Sequence, residues 1–140
     1  MRRRKVQGIA RDTLFFIMEA SRSTLPLEFA GLLRADEEII TEVLILPGTE
    51  ASNRSALVRM YMLPNMRIVG SVHSHPSSNL NPSREDLIFF SRAGYYNIIV
   101  GPPFDERSWR CYDSTGKGRD LSVLDVDLGE DDYLDEEDLI

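Results

Sequence analysis

Arg67-Ile68-Val69-Gly70-Ser71-Val72-His73-Ser74-His75-Pro76, then Ser77-Ser78-Asn79-Leu80-Asn81-Pro82, then Ser83-Arg84-Glu85-Asp86-Leu87-Ile88-Phe89-Phe90, is the stretch on which the reading of this chain turns. Its first part reads as a strand that stops at Pro76. The middle is dense in turn residues. The last part opens a helix at Ser83, which runs through Leu87, Ile88, Phe89, Phe90 and Ala93 to a stop at Gly94. His73 and His75 are the only two histidines in the chain. Alternate side chains of a strand share a face, and two residues rise about 6.6 Å, so both imidazoles can converge on one ion at about 2.0–2.1 Å. Pro76 ends the strand directly after them, at the sheet margin, where a site can be reached.

A catalytic zinc takes three protein ligands and keeps a fourth position open. Asp86 is the natural third ligand, because it lies in the first turn of the following helix, where the helix N-terminus favours a carboxylate. Imidazole and carboxylate suit zinc, though they also accept iron, cobalt or manganese. A plainer reading stands beside this one. Ser83-x-x-Asp86 is also a capping box, which needs no metal, and His-x-His by itself is often incidental. The two roles are compatible, since a carboxylate has two oxygens. Ser74, between the histidines, should face the other side of the strand, in a packing or supporting role. Asn79 and Asn81 read as turn residues.

Working outward, residues 12–23 read as a helix capped by Asp12 or Thr13, with Leu14, Phe15, Ile17, Met18 and Ser21 on one broad face. Leu25-Pro26 breaks it. Residues 28–33 and 39–46 read as two strands joined by a charged turn at residues 35–38, and Pro47-Gly48 closes the second. Residues 49–56 are loop-like, and residues 57–63 are compatible with a strand or a short helix. Met60, Met62 and Met66 read as core filler. Residues 95–100, 109–112 and 121–126 supply further strands. The fold class that follows is α/β, a single domain with a mixed, largely antiparallel sheet and two flanking helices. Its boundaries are residues 1–126, followed by an acidic tail at 127–140.

Composition narrows the function. The 140 residues suffice for one domain, and an apolar share of 42% argues against wholesale disorder. No run approaches the roughly 20 apolar residues of a membrane span. The basic start Met1-Arg2-Arg3-Arg4-Lys5 is followed by too short an apolar stretch for a secretory signal, so a cytosolic, cytoplasmic location is expected. The formal charge of −7 is uneven: the residues from Asp125 onward hold nine acids and no base, so the preceding 124 carry 16 basic against 14 acidic side chains. No basic, aromatic-interleaved stripe supports nucleic-acid binding. Cys111 is alone, which excludes an intrachain disulfide, and it reads as a packed thiol in a strand rather than a nucleophile.

Together, His73-Ser74-His75-Pro76 with Ser83 and Asp86 resembles the signature of the JAMM (MPN+) metalloprotease family, His-x-His-Pro followed at fixed spacing by Ser-x-x-Asp. Pro26-Leu27-Glu28-Phe29-Ala30-Gly31-Leu32-Leu33 is similar to the family's other hallmark, a glutamate just ahead of the first apolar strand. The residues alone do not separate Glu28 from Glu19, Glu38 or Glu42, and its plain reading is a solvated carboxylate at a strand edge. The resemblance covers roughly residues 8 to 125 and implies an MPN-like domain. With 44 residues between Glu28 and His73, it looks like the compact prokaryotic or archaeal type, without the insertions of eukaryotic deubiquitinases.

What the resemblance implies is a zinc-dependent isopeptidase or peptidase acting after the C-terminal glycine of a ubiquitin-like protein, a small archaeal modifier or a sulfur-carrier protein. His73, His75 and Asp86 would hold the Zn2+. Glu28 would be the general acid/base, taking a proton from the attacking water and passing it to the leaving amine, and Ser83 would hydrogen-bond the developing oxyanion. An exposed strand beside the metal could take the extended Gly-Gly tail by β-augmentation. The alternative is a non-catalytic MPN-type scaffold mediating protein assembly. The acidic tail reads as a solvated extension, or as a segment that docks a basic partner or inhibits the site.

Overall fold

The computed structural model describes residues 5–45 and 67–128. The expectations for Leu46, Pro47-Gly48, residues 49–56 and 57–63, the Met60, Met62 and Met66 group and most of the acidic tail lie outside the described residues. The elements are β1 (Gly8–Ala10), α1 (Arg11–Thr24), β2 (Ala30–Asp36), β3 (Ile39–Ile45), β4 (Ile68–Ser74), α2 (Arg84–Ala93), β5 (Tyr96–Val100), β6 (Trp109–Tyr112), β7 (Gly118–Arg119) and β8 (Ser122–Leu124). The strands form one sheet in the order β7-β6-β5-β4-β2-β3-β1-β8. β2 pairs antiparallel with β3 and β4, and β6 antiparallel with β5 and β7. β4–β5, β1–β3 and β1–β8 are parallel. The sheet is therefore mixed and largely antiparallel, with two helices among the described residues, as the sequence predicts.

β4 is buried along its whole length, because it has a sheet neighbour on each side and a packed layer on each face. On one face α1 covers a cluster that includes Ile9, Ile17, Phe29, Leu33, Val72 and Ile98. On the other, α2 covers Ala30, Leu32, Ile99, Phe90 and Tyr112. Gly94 ends α2 with φ 140, a conformation that L side chains rarely adopt, and a Cβ there would lie 2.5 Å from the Val69 carbonyl oxygen. Asn97 of β5 donates to the Gly94 carbonyl at 2.9 Å and so fastens the end of α2 to the sheet.

Several boundaries move. α1 begins at Arg11, with Ala10 as its N-cap and no side-chain cap bond. Asp12 and Thr13 lie inside the first turn, and Thr13 Oγ1 donates to the Thr41 carbonyl on β3 at 2.8 Å instead. The cause is β1, whose three residues are too short to show periodicity and which runs directly into the helix. β2 continues through Asp36, so the turn narrows to Glu37 and Glu38, both left-handed at φ 48 and 71, as the tight two-residue hairpin requires. The last predicted strand shrinks from residues 121–126 to Ser122–Leu124. No helix among the described residues is long and apolar enough to cross a membrane.

Candidate metal centre

His73 projects from the buried end of β4, and His75 follows the strand by one residue. Both lie on the α2 face, where the His73 ring sits 6.3 Å from the Phe90 ring, centroid to centroid. The loop of residues 76–83 folds back over this end of the sheet. Tyr112 of β6 donates its hydroxyl to the Leu80 carbonyl at 2.7 Å, and Asn81 N–H donates to Asn79 Oδ1 at 3.0 Å. That fold brings the first turn of α2 against β4. Ser83 and Asp86 form a reciprocal capping box: Asp86 N–H donates to Ser83 Oγ at 3.0 Å, and Ser83 N–H to Asp86 Oδ2 at 2.8 Å. The capping reading is thus observed, and the same carboxylate faces both histidines.

The three groups converge. His73 Nε2 lies 3.1 Å from Asp86 Oδ1, His75 Nε2 lies 3.2 Å from Asp86 Oδ2, and the two Nε2 atoms are 3.2 Å apart. One donor atom from each residue falls within 4.8 Å of the others. A tetrahedral ion with bonds of about 2.0–2.1 Å holds its ligand atoms about 3.3 Å apart, so the spacing fits zinc.

The electrostatics agree. His75 Nδ1 is 2.7 Å from the Asn79 carbonyl oxygen, which can only accept, so Nδ1 carries the proton. In the neutral ring, Nε2 then turns a lone pair towards a carboxylate oxygen and a second imidazole nitrogen. Such an arrangement calls for one more positive charge, a proton or a metal ion. The His75 pKa is accordingly raised, first by its bond to Asp86, against the effect of burial, and further by the Asn79 carbonyl and the charges of Asp86 and Glu28. Burial works to raise the Asp86 carboxyl, but bonds from His73, His75 and the Ser83 backbone outweigh it and hold Asp86 well below the usual carboxylate range.

Glu28 precedes β2, and register places it. Ala30 pairs with His73 and Gly31 with Val72. Ser74 N–H donates to the Phe29 carbonyl at 2.8 Å, which continues the same register, so Glu28 falls opposite His75. Residues opposite one another in an antiparallel pair share a face. Ala30 and Leu32, two and four residues on, belong to the α2-side cluster, which puts half-buried Glu28 on the face of the histidines.

Two contributors escape sequence reading. Asn79 acts through its backbone carbonyl, which no side-chain pattern announces, and Tyr112 acts through a hydroxyl on a strand otherwise read as core. β4 itself is bordered by β2 and β5, so an added strand would have to pair with another strand beside the site. Access is past the end of β4, at His75.

Comparison with known proteins follows the same lines. Residues 12–112 match the family of prokaryotic homologues of the JAB domain. The chain belongs to the prokaryotic JAB-domain family. A probable metalloprotease of Haloferax volcanii is 44% identical, over 92% of this chain and 86% of that protein. A JAB1/MPN domain protein from Archaeoglobus fulgidus superposes with a TM-score of 0.71 at 38% identity, covering 84% of this chain and 99% of that one. A structure described as a JAMM metalloprotease-like zinc site in the proteasome and signalosome gives a TM-score of 0.70 at 37% identity, with 86% and 100% covered. This JAB-domain chain is therefore similar to a probable metalloprotease and carries a His-His-Asp group suited to a metal, zinc by its donor set and spacing.

Proposed function

We propose that this JAB-domain chain is a zinc-dependent peptidase that cleaves the isopeptide or peptide bond after the C-terminal glycine of a ubiquitin-like modifier or sulfur-carrier protein. The observation that carries the reading is the convergence of His73, His75 and Asp86 with Glu28 in register on the same face. A bound zinc would polarise the scissile carbonyl and lower the pKa of an attacking water towards about 7. The proton still needs an acceptor. Glu28 supplies it: the carboxylate takes the proton as the water attacks and returns it to the amine nitrogen as the C–N bond breaks. Ser83 Oγ accepts the Asp86 N–H, a bond that leaves the hydroxyl proton to be donated to the developing oxyanion. The substrate's extended tail would pair with a strand beside the site other than β4, whose two edges are taken by β2 and β5.

The test is mass-spectrometric cleavage of a Gly-Gly isopeptide conjugate of a small ubiquitin-like modifier, by zinc-loaded protein and by Glu28→Gln. Release of modifier with an intact Gly-Gly end by the wild type alone is the expected result, with the variant retaining its zinc. A wild type that purifies without metal and is inactive would replace this reading with an assembly scaffold.

A further inference from the structure

The residue between the two histidines closes the last rung of the sheet. In the register of β2 and β4, Phe29 stands opposite Ser74 and should exchange two backbone bonds with it. Only one is of that kind, Ser74 N–H to the Phe29 carbonyl at 2.8 Å. Phe29 N–H donates instead to the Ser74 side chain, Oγ, at 2.7 Å. The hydroxyl thus stands in for a backbone acceptor. One residue on, the chain commits to the other neighbour, since His75 N–H donates to the Val100 carbonyl of β5 at 2.8 Å. β4 therefore forks at this point, with Ser74 holding the β2 side and His75 the β5 side.

We propose that Ser74 is a positioning residue for the reaction, fixing the Phe29 backbone and through it the adjacent Glu28 against the metal-bearing strand. The inference rests on Glu28 being the acid/base proposed above. Ser74 itself points to the α1 face, away from the metal and from the substrate path, with 1% exposure. Its hydroxyl bonds the Phe29 N–H, so the side chain acts on the site through Phe29 rather than by touching the metal ligands. Among the described residues, the backbone bond on the side of Glu28 away from Phe29 is Leu27 N–H to the Thr24 carbonyl at 2.8 Å, which is local to the turn. Removing the hydroxyl leaves a buried backbone donor without an acceptor, and the chain opens to satisfy it with water. Glu28 then loses its register with His75, while His73, His75 and Asp86 keep theirs.

The test is Ser74→Ala, which fits the same space. Expected are near wild-type zinc content, a Phe29 amide that exchanges with solvent faster by about tenfold or more, and kcat lower on the order of 10–100-fold with KM within about threefold of the wild type. An unchanged Phe29 exchange rate, or a kcat within about twofold of the wild type, overturns the proposal. If zinc-loaded wild type cleaves no conjugate, the proposed function fails separately, and the exchange comparison still decides whether Ser74 holds Phe29.

Discussion

The two faces of the sheet at β4 are built on different terms. Val72 and Ser74 point towards α1, into the cluster with Ile17, Phe29, Ile98 and Val100. His73, one residue away in the chain, points towards α2, where Asp86 sits with 1% exposure. On the α1 face burial dominates and favours what is neutral: the Cys111 thiol is pushed up to about 12, mainly by burial and against the nearby Arg119 charge, and so is no thiolate nucleophile. On the α2 face a carboxylate is buried as deeply and yet stays ionised, because two imidazoles and a backbone N–H point at it. Burial alone therefore does not set ionisation here; the hydrogen bonds and charges around the group do. The α1 face supplies stability, and the α2 face uses it to hold a charged cluster in place.

Asp86→Ala should separate the two terms with the largest effect. It removes a proposed ligand, the counter-charge of both histidines and one half of a capping box in a single step. Metal affinity should fall by more than about 100-fold, since even partners one step further from a metal are worth 10–100-fold, and cleavage should drop to background. Metal titration followed by the conjugate assay reads both. In the metal-free protein, the stability owed to ionised Asp86 is present above its ordinary pKa of 3.8 and fades as pH falls towards the depressed folded value. The gap between wild type and variant should therefore narrow in acid. A variant that binds zinc as the wild type does would show that the cluster is a structural ion pair.

Ile17→Ala is the counterpart on the α1 face. Ile17 is fully buried, and truncation in such a core typically costs about 2–5 kcal/mol. Urea unfolding should report that loss, while the folded variant still binds zinc stoichiometrically. If metal affinity fell in step with stability, the two faces would be one cooperative unit, and the division drawn between them would not hold.

How far the sequence foretold these two faces depends on how local each signal is. His73, His75, Ser83 and Asp86 lie within fourteen positions of chain, and their roles follow from strand alternation, a turn-rich loop and helix capping, so their meeting was legible. Glu28 was not legible from periodicity. Its place comes from a register between β2 and β4, which are separated in the chain by more than thirty residues, and only the family resemblance singled it out. β1 and β7 were missed for a different reason: two or three residues carry no period, and each is a strand only because a neighbour lies beside it. Asn79 and Tyr112 reach the site through a backbone carbonyl and a loop contact, and both depend on tertiary folding.

The smallest effect comes from the helix starts, and it tests whether sequence caps can be trusted here. Both α1 and α2 have a polar candidate near their N-terminus. At α2 the candidate is used, with bonds in both directions between Ser83 and Asp86. At α1 the helix begins from Ala10 without a side-chain cap, fed directly by β1, and Asp12 is an acidic residue in the first turn. Ser83→Ala should lower stability by about 1 kcal/mol, the usual value of an N-cap, read as a shift in the urea midpoint of the metal-free protein. Asp12→Ala removes only a favourable charge near the helix N-terminus and should stay within about 0.5 kcal/mol. Equal losses at the two positions would mean that Asp12 caps α1 in solution. A loss at Asp12 alone would mean that the Ser83–Asp86 bonds are held by the loop of residues 76–83 and add nothing of their own.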